Sequence, residues 1–77
     1  MRSFYVSVKD FIYETVPANA QILVYISMMS NRGEVLFEGT PDDLFDNNKP
    51  LAQDFNSWLI DEVDANNNVL EIGCFKR

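Results

Sequence analysis

Two adjacent carboxylate pairs are the residues of this chain whose types and spacing could carry out acid–base chemistry. The pairs are Asp42 with Asp43 and Asp61 with Glu62. Two carboxylates that flank one bond can transfer protons to and from it. The first pair follows Thr40 and Pro41, a pattern typical of a helix N-terminus, where acidic side chains complement the helix dipole. The second pair lies in a predicted strand, so its side chains are expected on opposite faces. We therefore predict no catalytic residue and no enzyme.

Nucleophilic and zinc chemistry have little support in this composition. The chain contains no histidine and a single cysteine, Cys74. The absence of histidine removes the commonest general base and the commonest zinc ligand. Cys74 lies in an apolar run and has no base to activate it, so we predict a buried packing residue. A lone cysteine excludes an internal disulfide, which fits a reducing compartment.

Residues 64–68 alternate oxygen-bearing side chains in the manner of the first half of a calcium loop. The sixth position of such a loop needs glycine and the twelfth needs glutamate, but the chain has Val69 and Phe75 there. A hairpin turn is the better interpretation, because asparagine tolerates left-handed backbone. No glycine-rich phosphate loop is present, since the three glycines are scattered. We predict no metal site and no cofactor.

Acidic residues are concentrated in the second half of the chain. Residues 34–75 carry ten carboxylates and one cation, a charge of −9, and the remaining residues carry five cations and two carboxylates, a charge of +3, which together give −6. Such a field repels nucleic acid and attracts basic surfaces. The plainer interpretation is a solvated face that keeps a small protein soluble.

A sharper interpretation is an acidic array that mimics the charges of a phosphate backbone and docks on a basic protein, such as a nucleic-acid enzyme. The candidate partner-binding residues are Glu34, Glu38, Asp42, Asp43, Asp46, Asp61, Glu62 and Asp64. The N-terminal half offers a weaker basic patch of Arg2, Lys9 and Arg32 with Phe4 and Tyr5. Given the net charge, we expect no direct binding of nucleic acid.

The elements that must position these residues follow from apolar periodicity and from turn residues. We expect one domain over residues 1–77, with helices at 7–16 and 41–46 and strands at 22–29, 34–38, 58–63 and 69–75. Residues 51–55 fit a turn of helix or an extended segment, and residues 3–6 fit a short strand or an extra helical turn. The predicted fold is α+β in the order α-β-β-α-β-β. It has a small four-stranded antiparallel sheet, one main N-terminal helix and one short helix, and a strongly bent or barrel-like sheet is the variant.

The predicted strand at residues 22–29 is apolar on both faces. One face has Ile22, Val24, Ile26 and Met28, and the other has Leu23, Tyr25, Ser27 and Met29. Such a strand is covered on both sides or lies in an oligomer interface. A self-associating accessory protein, in the form of a homodimer, is therefore the alternative function.

No run approaches the roughly 20 apolar residues of a membrane span, and the N-terminus lacks the pattern of a signal peptide. We therefore expect a cytoplasmic protein that contacts no membrane.

Two segments resemble small acidic proteins encoded by phages and prophages of Gram-positive bacteria. Residues 11–26 read FIYETVPANAQILVYI, and residues 33–40 read GEVLFEGT. Those proteins commonly have a short helix, a proline turn, a strand, a strand that ends in Leu-Phe-x-Gly-Thr, and a terminal hairpin. Some proteins of this kind are anti-CRISPR inhibitors of host defence nucleases, and several mimic DNA. The resemblance implies an inhibitor that acts in the host cytoplasm.

Overall fold

The computed structural model describes residues 6–28 and 32–76. The chain forms α1 (Val8–Thr15), β1 (Gln21–Ser27), β2 (Arg32–Gly39), α2 (Pro41–Asn47), α3 (Lys49–Asp54), a turn of 3₁₀ helix (Phe55–Ser57), β3 (Trp58–Asn66) and β4 (Val69–Lys76). The strands form one sheet in the order β2-β1-β4-β3. The architecture is thus a small α+β fold with a four-stranded sheet and three α-helices.

Two of the helices begin where the capping residues predict. Ser7 Oγ accepts a hydrogen bond from the Asp10 amide at 3.1 Å, and Thr40 Oγ1 accepts one from the Asp43 amide at 3.2 Å. Each bond satisfies a backbone donor that the first helical turn leaves unpaired. The predicted helices at residues 7–16 and 41–46 are therefore confirmed as α1 and α2, with ends that differ by one residue or less.

A third helix, α3, was not predicted. Asn48 has a non-helical backbone conformation and separates α2 from α3, and Pro50 lies in the first turn of α3. Proline is tolerated there because the first-turn amides have no partner within the helix. The expectation of a single short helix is wrong, since the proline that ends one helix also suits the start of the next. Residues 51–55, which had fitted two alternatives, are helical.

The sheet is mixed, and the prediction of a wholly antiparallel sheet is wrong. β1 pairs antiparallel with β2, and β3 pairs antiparallel with β4, but β1 pairs parallel with β4. The strands of each antiparallel pair are consecutive in the chain, whereas the long connection that a parallel pair requires runs from β1 through β2, α2, α3 and β3 to β4. The sheet is also open, because β2 and β3 lie at opposite ends of the strand order, so the barrel-like variant is wrong as well.

The turn between β3 and β4 confirms the predicted hairpin and makes it tighter. Asn67 and Asn68 have φ values of 53° and 65°. Two consecutive residues with positive φ make the type I′ turn that matches the twist of paired strands, and asparagine adopts this conformation readily. The strand pairing therefore extends to Asn66 and Val69.

The chain enters α1 beside β3. The Val6 carbonyl accepts a hydrogen bond from the Ile60 amide at 3.0 Å, and Ser7 forms an isolated bridge with Leu59. Residues 3–5, for which a strand or a helical turn was expected, lie outside the described residues. Met29 and Asn31, at the expected end of the first strand and in the turn after it, also lie outside them.

All three helices pack on one face of the sheet. The core contains Val8, Ile12, Ile22, Val24, Phe37, Leu44, Ala52, Phe55, Ile72 and Cys74. Cys74 is fully buried, as expected for a packing residue. None of the described helices is long and apolar enough to cross a lipid bilayer.

Candidate binding surface on the open sheet face

The face of the sheet opposite the helices, here called the open face, is covered by none of the described helices. Strand register identifies its residues, because partners in adjacent strands point to the same side. One row across the four strands is Glu38, Leu23, Glu71 and Asp64, and the next row is Val35, Tyr25, Gly73 and Glu62. The open face is therefore largely polar, with Tyr25 near its centre.

The Tyr25 ring lies across β4 above Gly73. Its hydroxyl donates a hydrogen bond to Glu62 Oε2 on β3 at 2.5 Å. A Cβ atom added at Gly73 would lie 3.0 Å from both Cζ and the hydroxyl oxygen of Tyr25 and 2.8 Å from Cγ of Glu62. The absence of a side chain at this position thus lets the ring span a whole strand.

Arg32 covers the other face of the tyrosine ring. Its guanidinium carbon lies 4.6 Å from the ring centroid, and Nη2 forms an ion pair with Glu71 Oε1. Stacking of this kind is attractive because the ring face carries negative electrostatic potential. Tyr25 is only 3% exposed as a result, although it lies on the open face. Four side chains from all four strands therefore form one connected cluster.

A β-bulge places both members of the second carboxylate pair on the open face. The register of β3 against β4 shifts between Ile60 and Glu62. Asp61 Oδ2 accepts a hydrogen bond from Ser27 Oγ at 2.6 Å, and Ser27 shares its face of β1 with Tyr25. The expectation that Asp61 and Glu62 lie on opposite faces is wrong, because a bulge inserts one residue and breaks strict alternation.

Tyr25 and Cys74 both have a raised pKa. Burial, and then the hydrogen bond and negative charge of Glu62, raise the pKa of Tyr25 to about 12. Burial raises the pKa of the Cys74 thiol to about 11. Tyr25 therefore acts as a hydrogen-bond donor at neutral pH, and Cys74 stays a protonated thiol. Neither group has the lowered pKa of an activated nucleophile.

The open face carries an excess of negative charge. Glu38, Asp61, Glu62, Asp64 and Glu71 contribute five carboxylates, and Arg32 contributes one cation, for a formal −4. Asp64 and Glu71 are direct cross-strand partners, an arrangement of like charges that disfavours the sheet. Among the residues that the structure describes, no three histidine, cysteine or acidic side chains converge as metal ligands.

The structure brings together only some of the predicted partner-binding residues. Glu38, Asp61, Glu62 and Asp64 lie on the open face. Asp42, Asp43 and Asp46 lie on α2, whose Leu44 packs in the core, so these three carboxylates belong to the helical side. Glu34 is exposed on the edge strand β2.

Sequence reasoning missed four members of the cluster on the open face. They are Tyr25, Arg32, Glu71 and Gly73. A glycine inside a strand is a usable signal, because it often marks a close approach of another group. Alternation in the predicted strand did place Tyr25 and Ser27 on one face, but nothing in the sequence indicated what Tyr25 contacts there. No comparable signal exists for Arg32, whose role depends on the pairing of β1 with β2.

Comparison with protein-family models, with curated proteins and with solved structures found no match.

Proposed function

We propose that the protein is a non-enzymatic binding protein that docks its open face on a basic protein surface. The observation that carries the proposal is the set of five carboxylates on a sheet face that no described helix covers. The resemblance to small acidic phage proteins suggests the partner class: a host defence nuclease whose cationic groove normally holds nucleic acid. In that role the open face mimics a phosphate backbone and inhibits the enzyme.

The way the carboxylates are held favours binding over simple solvation. Glu62 and Asp61 are fixed by short hydrogen bonds from Tyr25 and Ser27. Solvation requires no fixed geometry, whereas a docking surface gains affinity when its groups are ordered before the partner arrives.

Self-association through the apolar strand gains less support. β1 lies in the middle of the sheet, and Ile22 and Val24 are fully buried in the core. On its other face, Tyr25 is covered by Arg32. Much of the pattern that is apolar on both sides is thus accounted for within one copy of the chain.

The test compares two pairs of substitutions that change the net charge equally. Glu38→Gln with Asp64→Asn alters the open face, and Asp10→Asn with Glu14→Gln alters exposed positions on α1. Binding to a purified nuclease with a cationic nucleic-acid channel is measured over a range of salt concentrations. We expect the open-face variant to bind at least ~10-fold more weakly, equivalent to ~1.4 kcal/mol, and to lose part of its salt dependence.

The control variant should bind as the wild type does, and DNA should compete with the protein for the nuclease. Equal losses from both variants would indicate attraction by net charge alone and would contradict the proposal. An affinity that does not change with salt would also contradict it.

A further inference from the structure

A groove on the helical side of the molecule lies between α1 and α2. Its volume is about 300 Å³, and its lining includes Ile12, Tyr13, Val16, Asp42, Phe45 and Asp46. The Asp42 amide donates a hydrogen bond to the Ala18 carbonyl at 3.1 Å, which ties the start of α2 to the segment that follows α1. The two walls of the groove are therefore joined at one end.

The groove combines aromatic rings with negative charge. Tyr13 is 76% exposed, and its ring meets Phe45 edge to face, with centroids 5.9 Å apart and planes at 90°. Asp42 and Asp46 are four residues apart on α2, so their side chains are neighbours on one side of that helix. Within the described part of the chain, neither carboxylate has a hydrogen-bond or ion-pair partner, whereas Asp43 accepts a hydrogen bond from Asn47 at 2.7 Å.

We propose that this groove binds the guanidinium group of an arginine side chain from a partner protein. A guanidinium is planar, stacks on aromatic rings and donates paired hydrogen bonds to carboxylates. Charge complementarity selects a cation, because an apolar occupant would desolvate Asp42 and Asp46 without compensation. Lysine fits less well, since its compact ammonium is more strongly hydrated and cannot stack.

The proposal does not depend on the function assigned to the open face. The groove and the open face are on opposite sides of the sheet, and they share no residue. A groove that binds arginine would give the protein a second contact with the same partner or a separate contact with another.

The test is an NMR titration of the ¹⁵N-labelled protein with the blocked tripeptide acetyl-Ala-Arg-Ala-amide. The matched probe replaces arginine by citrulline, which has nearly the same shape but no charge. We expect saturable shifts confined to α1, α2 and the segment between them. The citrulline peptide should bind at least ~10-fold more weakly, as expected if the charge contributes ~1.4 kcal/mol.

Variants of exposed groove residues separate the contributions of charge and ring. Asp42→Asn with Asp46→Asn should weaken binding of the arginine peptide at least ~10-fold, and Tyr13→Ala should weaken it several-fold, whereas Tyr13→Phe keeps the ring and should retain binding. The open-face variant Glu38→Gln with Asp64→Asn should bind the peptide as the wild type does. Equal affinity for the arginine and citrulline peptides would overturn the proposal. Amide shifts near carboxylates on both sides of the molecule would also overturn it, because they would indicate attraction by charge alone. Preserved amide spectra of the free variants exclude unfolding as the cause of any loss.

Discussion

At the scale of single residues, Tyr25 is the centre of the open face. Its hydroxyl contacts β3, its ring lies over β4, and Arg32 of β2 stacks on it. One side chain of a central strand thereby contacts the other three strands. A hydrogen bond to a charged acceptor contributes about 1.5–3 kcal/mol, more than a neutral one, so the Tyr25–Glu62 bond is a substantial contribution for a domain of this size.

The raised pKa of Tyr25 predicts a specific loss of stability in alkali. The phenol has an ordinary pKa of 10 and a folded-state pKa of about 12, so folding favours the protonated form. The stabilisation is complete below pH 10 and is lost as the pH rises toward 12. Denaturant unfolding between pH 8 and pH 12 measures the free energy of unfolding of the wild type and of Tyr25→Phe. We expect the difference between the two free energies to narrow above about pH 10.

Tyr13→Phe serves as the control for this prediction, because Tyr13 is exposed and makes no contact with the cluster on the open face. Any pH dependence that this variant shares with Tyr25→Phe reports the general effect of alkali and not the hydrogen bond between Tyr25 and Glu62. If Tyr25→Phe and the wild type lost stability in parallel, the coupling between phenol ionisation and folding would be refuted.

Gly73→Ala should destabilise the protein because the added methyl group meets the Tyr25 ring and Glu62. The expected cost is about 1–3 kcal/mol in the free energy of unfolding. A double-mutant cycle with Tyr25→Val supplies the control, since removal of the ring removes the two 3.0 Å contacts and also releases Glu62, the third contact, from its hydrogen bond to Tyr25. We expect Gly73→Ala to cost less in the Tyr25→Val background. Equal costs in both backgrounds would show that the glycine serves another purpose.

At the scale of elements, the β3–β4 hairpin depends on two residues with left-handed backbone. Asn68→Ala should lower the free energy of unfolding by about 1 kcal/mol, because a residue with a Cβ atom and no local hydrogen-bonding group disfavours positive φ. Asn68→Gly is the matched control and should keep or raise stability, since glycine adopts this conformation freely. Denaturation midpoints of the three proteins test the prediction, and a fully stable alanine variant would contradict it.

Local signals in the sequence predict the elements well. Ser7, Thr40 and the asparagines at 67 and 68 fix backbone geometry through groups that are adjacent in the chain, so two helix starts and one turn could be located. The parallel pairing of β1 with β4 involves residues about fifty positions apart. No local group encodes that contact, so an antiparallel sheet remained the natural expectation.

The candidate surface was predictable only in part, for the same reason. The excess of carboxylates is visible in the sequence, but the division of those carboxylates between two sides of the molecule depends on tertiary packing of α2. The bulge at Asp61 also escaped prediction, because Leu59, Ile60 and Asp61 read as an ordinary strand. A sequence pattern gives the chemistry of this surface more readily than its geometry.

At the scale of the whole molecule, the apolar core and the polar cluster lie on opposite sides of one sheet. Phe37 and Phe55 pack in the core with residues of the helices, whereas Tyr25 belongs to the other side. The apolar core and the polar cluster are built from different side chains on the same strands. Stability from apolar burial and the electrostatic recognition proposed above therefore depend on separate sets of side chains.

This separation has an evolutionary consequence. Exposed positions such as Val35, Glu38 and Asp64 can change without opening a cavity in the core. Under the proposed function, selection for a new target and selection for a foldable chain then act largely on different codons. The positions subject to both are those of the cluster on the open face: Tyr25, Arg32, Glu62, Glu71 and Gly73. Under the proposed function, a lineage that carries this scaffold can therefore change its binding specificity through substitutions on one side of the sheet while the interior stays the same.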